Sequence, residues 1–182
     1  SAPVAPVGDV AAAAAGVAQA FKADNAGAEL VIYSKVGIGS GAFANNPWLQ
    51  EMPDPITKAT WDNYLTVSQQ WATENGVTMV EENTQKAQIS VNGKTLIVPI
   101  LVQPGQAEGT FGLALGYGRT KAGRVADGVG VNAYDLADAS KGFVNFDITS
   151  GVEISATGDA YRIARTQTHQ TFMGRENVIQ ES

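Results

Sequence analysis

The chain opens on a stretch whose spacing is helical. Residues 9–23 are rich in alanine, Asp9 stands where a cap belongs, and the run Ala11–Ala15 has the highest intrinsic helix propensity. Val17, Ala18 and Phe21 are spaced to form a buried stripe, and Gly27 is placed to end the connection that follows. Glu29–Lys35 (ELVIYSK) then reads as a short apolar strand. Glycines 37, 39 and 41 and prolines 47, 53 and 55 break both helix and strand, so residues 37–55 are expected to be loop. A second short helix is expected after Ser68, a good cap, with its stop at Asn75-Gly76.

From there the pattern is β-rich. Val77–Glu82, Lys86–Val91, Lys94–Val102, Thr110–Leu115, Gly151–Ala156 and Tyr161–Gln167 read as strands. Asn92-Gly93 is the strongest turn signal, because a type I′ turn needs positive φ at both central residues. It predicts a hairpin between QISV and KTLIVPILV. Pro99 has no N–H to give to a ladder, so it marks an edge or a bulge. Short strands with glycine-rich turns suggest a closed or nearly closed barrel, a mainly β fold with added helices. The expected organisation is one domain: a linker and helix over residues 1–28, a barrel with inserted loops over 29–167, and a tail over 168–182.

Composition narrows the function classes. The 182 residues are 44% apolar and 16% charged, an ordinary globular balance. A formal charge of −6 argues against a nucleic-acid binder, which needs a basic footprint. With no cysteine, the chain has no disulfide, zinc finger or cysteine-ligated iron–sulfur cluster of its own. No apolar run reaches the roughly 18 residues of a spanning helix, and no basic-then-apolar leader opens the chain.

Three constellations carry candidate chemistry. Residues 105–132 hold the densest glycines, with Gly116-Tyr117-Gly118-Arg119-Thr120-Lys121, then Arg124, then Gly128-Val129-Gly130-Val131-Asn132. Glycines let backbone approach a ligand and nearby cations suit a pyrophosphate, yet the same residues also make tight barrel turns. The Rossmann pattern fails, since Lys121 stands where its third glycine belongs. Residues 44–64 (ANNPWLQEMPDPITKATWDNY) join Trp48, Trp61 and Tyr64 with Glu51, Asp54 and Asp62. They would suit a small-molecule or sugar site, or a loop pinned to its domain by buried tryptophans. His169 is the sole histidine and lacks partners for a metal site, so a supporting role at a strand end or a domain contact is expected.

Three stretches also match a known pattern in order: NNPWLQEMPDPITKATWDNYLTVSQQWATENGV, LIVPILVQPGQAEGTFGLALGYGR and GVGVNAYDL. Over about residues 29–136 the chain resembles the dinucleotide-binding domain of the molybdopterin oxidoreductases (DMSO reductase superfamily). With GYGRTKAGRVADGVGVNAYDL and the tail TQTHQTFMGRE, it is most similar to the large iron–sulfur subunits of alternative complex III, the "TAT-variant-translocated molybdopterin oxidoreductase" group. The resemblance implies a double-psi β-barrel, six strands in interlocked halves. It also implies a piece of a larger subunit in a quinol-oxidising complex of the respiratory chain, on the periplasmic side of the bacterial inner membrane. The expected partners are the parent's other domains and other subunits of that membrane-associated complex, with no nucleic acid and no direct membrane insertion.

In such a subunit this domain would be a non-catalytic scaffold, with electron transport through clusters held elsewhere and no cofactor or metal in this stretch. The alternative is a working domain for molybdopterin guanine dinucleotide. The family-equivalent pocket would then be Asn45, Asn46, Gly116, Gly118, Arg119, Gly130 and Asn132. An independent hydrolase using the 44–64 carboxylates is a third reading.

Overall fold

The computed structural model describes residues 8–20, 27–139 and 144–168. Among them run seven strands: β1 (Glu29–Tyr33), β2 (Leu65–Val67), β3 (Asn83–Val91), β4 (Lys94–Val102), β5 (Thr110–Ala114), β6 (Asp147–Ile148) and β7 (Val152–Arg162). Three helices accompany them, α1 (Val10–Ala20), α2 (Pro47–Glu51) and α3 (Gln69–Glu74), with a 3-10 turn at Ala133–Leu136. The strands form one mixed sheet in the order β6-β1-β5-β2-β4-β3-β7. The fold is mainly β with few helices, as the sequence pattern suggests.

The centre of the sheet positions the site. β1 runs parallel to β5 and β2 parallel to β4, while β2 and β5 pair antiparallel between them. β2 has only three residues, all buried, and it is absent from the sequence expectation. Three residues give no period to read, and a strand covered on both faces does not alternate. Packing holds it in place: Leu65 and Val67 are fully buried beside Leu30, Ile89, Ile100 and Leu113. Burial of each such side chain contributes about 1.5–3 kcal/mol.

The hairpin of β3 and β4 follows its turn residues. Asn92 and Gly93 have φ of 48° and 80°, and Val91 pairs with Lys94 across them. Pro99 sits where β4 changes partner. Its pair with Lys86 is the last on β3, and pairing with β2 begins at Ile100. The missing N–H therefore falls at a hand-over between ladders, within a strand that is interior to the sheet and not an edge. The bulge lies on the other side of β3. Between Ala156 and Ala160, β7 advances four residues against two on β3, and Thr157, Gly158 and Asp159 loop out.

Several expectations change. Val77–Glu82 is not a strand: Val80 and Asn83 bond each other in a tight turn, and Glu81 has φ of 54°. The segment 151–156 belongs largely to β7, but of 161–167 only Tyr161 and Arg162 are in that strand; beyond them Arg165 makes an isolated bridge to Ala59. Inside the expected 37–55 loop lies α2, which Asn46 caps and Pro47 starts, because proline is preorganised at a first helical position. α3 forms where expected, with Ser68 capping Trp71 N–H and Gly76 following. α1 forms as well, but no buried stripe does. Val17 is 57% exposed and Ala18 is exposed, and Phe21 lies outside the described residues.

Candidate functional site

Two loops meet at the ends of β1 and β5. The loop after β5 turns at Gly116 and Gly118, and with Ser40, Arg119, Lys121, Asn132 and Tyr134 it lines an open cleft of about 490 Å³. Gly118 is required there: a Cβ would stand 2.1 Å from Asn132 N. Arg119 lies along the cleft, one terminal nitrogen donating to Ser40 O at 3.3 Å, and its buried Nε has no partner. The Tyr134 hydroxyl donates to the same carbonyl, and its ring is 39% exposed at the rim. The lining residues include two cations, Arg119 and Lys121, and no carboxylate.

Of the seven nominated residues, the structure brings Gly116, Gly118, Arg119 and Asn132 to this cleft. The other three, Asn45, Asn46 and Gly130, do not line it and act in the backbone around it. Asn45 accepts from Val125 N–H at 3.0 Å and holds the turn beyond Lys121. Asn46 caps α2 through Trp48 N–H. Gly130, at φ 65°, lets the chain close on Asn63 and Tyr117. The sequence reading missed Ser40 and Tyr134, which come together only through the fold. It also missed Asn63, which is wholly buried. Asn63 donates to Ala114 O and Val131 O at 2.8 and 2.9 Å and accepts from Val131 N–H, so one side chain fixes both loops. Its amide occurs in a stretch of mixed polarity, where nothing marks it as buried.

Beneath the cleft lies a second polar cluster, around Lys35. This lysine is 8% exposed, and Nζ donates to Asp62 O at 3.3 Å. Nζ stands 4.0 Å from the Tyr64 ring centroid and 5.5 Å from that of Tyr117. Burial lowers its pKa from 10.5 to about 8, while Asp54 and Asp62 pull partly the other way. Neither carboxylate forms an ion pair with it. Asp54 Oδ1 accepts from Ile56 N–H, Thr57 N–H and the Thr57 hydroxyl, and Asp62 accepts from the Tyr161 hydroxyl. Burial raises the phenol of Tyr33 to about 12, helped by Asp54, and pushes Tyr64 and Tyr117 higher still.

The 44–64 segment is held differently from expectation. Trp48 is 83% exposed and pins nothing, and Trp61 is only half-buried. Gln50, Tyr64 and Asn63 do the anchoring: Gln50 Nε2 donates to Ala44 O, and the Tyr64 and Thr57 hydroxyls bond each other. Tryptophan at a helix start next to proline has no inward face here, because the apolar face of α2 is taken by Leu49. His169 lies outside the described residues. No protein-family model matches the chain, and no curated protein matches it either.

Proposed function

We propose that this domain is a non-catalytic scaffold and interaction module within a respiratory quinol-oxidising oxidoreductase of the molybdopterin family. The observation that carries this reading is the outer surface of residues 36–56. Val36 is 75% exposed, Phe43 74%, Trp48 83% and Ile56 73%, four large apolar side chains on one segment. Single exposed apolar groups are common, but four on one segment of turns and a capped helix favour a surface that another body covers. The partner implied by the resemblance is the cluster-bearing part of the parent subunit.

The strand pairing supports the barrel side of this reading. Exchanging β1 with β4 and β2 with β5 maps the parallel pair β1/β5 onto β4/β2 and keeps the central β2/β5 pair. Interlocked halves of a double-psi barrel have this kind of internal two-fold.

The cleft favours a second reading, a pocket for the guanine-nucleotide half of molybdopterin guanine dinucleotide. Its residues fit a pyrophosphate: Arg119 with its unpartnered Nε and Lys121 would hold the phosphates, and the glycine turns allow close backbone approach. The dinucleotide would bring the metal-binding pterin, while this chain would only bind and orient it.

One experiment separates the readings. The domain is mixed with the cluster-bearing segment of its parent, and a Phe43→Ser, Trp48→Ser variant is compared after circular dichroism shows it folded. Association lost about ten-fold or more in the variant supports the scaffold, since buried aromatic anchors each contribute about 2 kcal/mol or more. Wild-type protein that does not associate overturns it. A melting temperature that rises with guanosine diphosphate points instead to the nucleotide pocket.

A further inference from the structure

The Lys35 cluster takes no part in either reading above. We propose that Lys35 is an acylation site, an amine enclosed by aromatic rings that takes an acyl group from a small acyl donor such as an acyl phosphate.

The geometry supplies the reasons. A buried ammonium is stable when a carboxylate pairs with it and its three N–H groups are used. Lys35 has neither advantage. One hydrogen bond, to Asp62 O, is made at 3.3 Å. The two carboxylates that face it, Asp54 and Asp62, both come from the 54–62 loop and are held by other donors. From the residue before β2 and the loop after β5, the rings that face it are those of Tyr64 and Tyr117, with the β1 phenol of Tyr33 interacting with both, and all three phenols are kept neutral by burial. Burial thus lowers the amine's pKa to about 8 against the pull of the two ring faces on the ammonium, so a neutral, nucleophilic fraction is present at mildly alkaline pH. Enclosure to 8% exposure admits only small donors.

The step balances without any further reagent. The neutral amine attacks the carbonyl carbon of acetyl phosphate, a C–N bond forms and the C–O bond to phosphate breaks. The proton lost by nitrogen ends on the released phosphate. The amide left behind carries no charge, so the product removes the unpaired buried cation.

The test is acetylation of the folded full chain with acetyl phosphate over about pH 6.5–10, with each lysine followed by peptide mass spectrometry. Lys94, exposed beside the β3–β4 turn, is the internal reference. Lys35 should acetylate about ten-fold faster than Lys94 near pH 8 and level off above about pH 9, while Lys94 continues to rise. A Tyr161→Phe variant frees the Asp62 carboxylate to pair with the amine. It should slow Lys35 at about pH 7.5, move its inflection upward, and leave Lys94 unchanged. Labelling in urea, where the two lysines should react alike, shows that both peptides are detected. Lys35 reacting no faster than Lys94 in the folded chain overturns the proposal, as does an unchanged Lys35 profile in folded Tyr161→Phe protein.

Discussion

At the scale of single residues, two buried polar side chains organise the region under the cleft in opposite ways. Asn63 satisfies its neighbours: three hydrogen bonds to backbone join the end of β5 to the turn at Val131. Lys35 is tolerated rather than satisfied, and this gives stability a particular pH dependence. Its folded pKa of about 8 lies below the unfolded 10.5, so between these values the unfolded chain binds the extra proton and stability rises with pH. The buried tyrosines act oppositely. Their folded pKa values lie above the unfolded 10.0, so above pH 10 the folded state keeps protons the unfolded state releases, and stability falls. Chemical denaturation across this range should therefore show a maximum between pH 8 and 10. Lys35→Met should remove the rising limb and raise stability at neutral pH by about 1–2 kcal/mol. A wild-type profile that is flat from neutrality to pH 10 would contradict this account. Neither residue's role was legible in the sequence. Lysine and asparagine are usually exposed, and only tertiary packing buries them.

At the scale of elements, legibility follows how local the cause is. The Asn92-Gly93 turn, the Ser68 cap and the bounds of β4 were readable because the residues that fix them are adjacent in the chain. Gly93 at φ 80° is the most testable of these. Gly93→Ala puts a Cβ in the left-handed region and should cost about 1 kcal/mol in denaturant titration. A loss no larger than that of an Ala-for-Thr95 exchange would sink the assignment. β2 was not readable, since its three residues become a strand only because β4 and β5 flank them. Val77–Glu82 erred the other way. Its apolar residues cap α3 and fill a turn, with Val77 N–H bonded to Ala72 O. The cleft was half legible: the glycine turns and Arg119 announced themselves by type, whereas Ser40 and Tyr134 are 94 residues apart and meet through the fold.

At the scale of the whole molecule, the sheet has two unequal ends. β6 is two residues long, while β7 runs for eleven and pairs only with β3 among the described residues. A straight outer strand of that length would present a row of free N–H and C=O groups to any other extended chain. The loop-out at Thr157–Asp159 divides it. The stretch 152–156 and the stretch 160–162 are out of step with each other, so no visiting strand can follow both. Removing Thr157 and Gly158 together would restore an even alternation and a continuous rim. That variant should keep its β3 ladder yet gain mass with concentration in light scattering more steeply than the natural chain. The two surplus residues thus interrupt the template that an outer strand of this length would offer to fibril growth along that side.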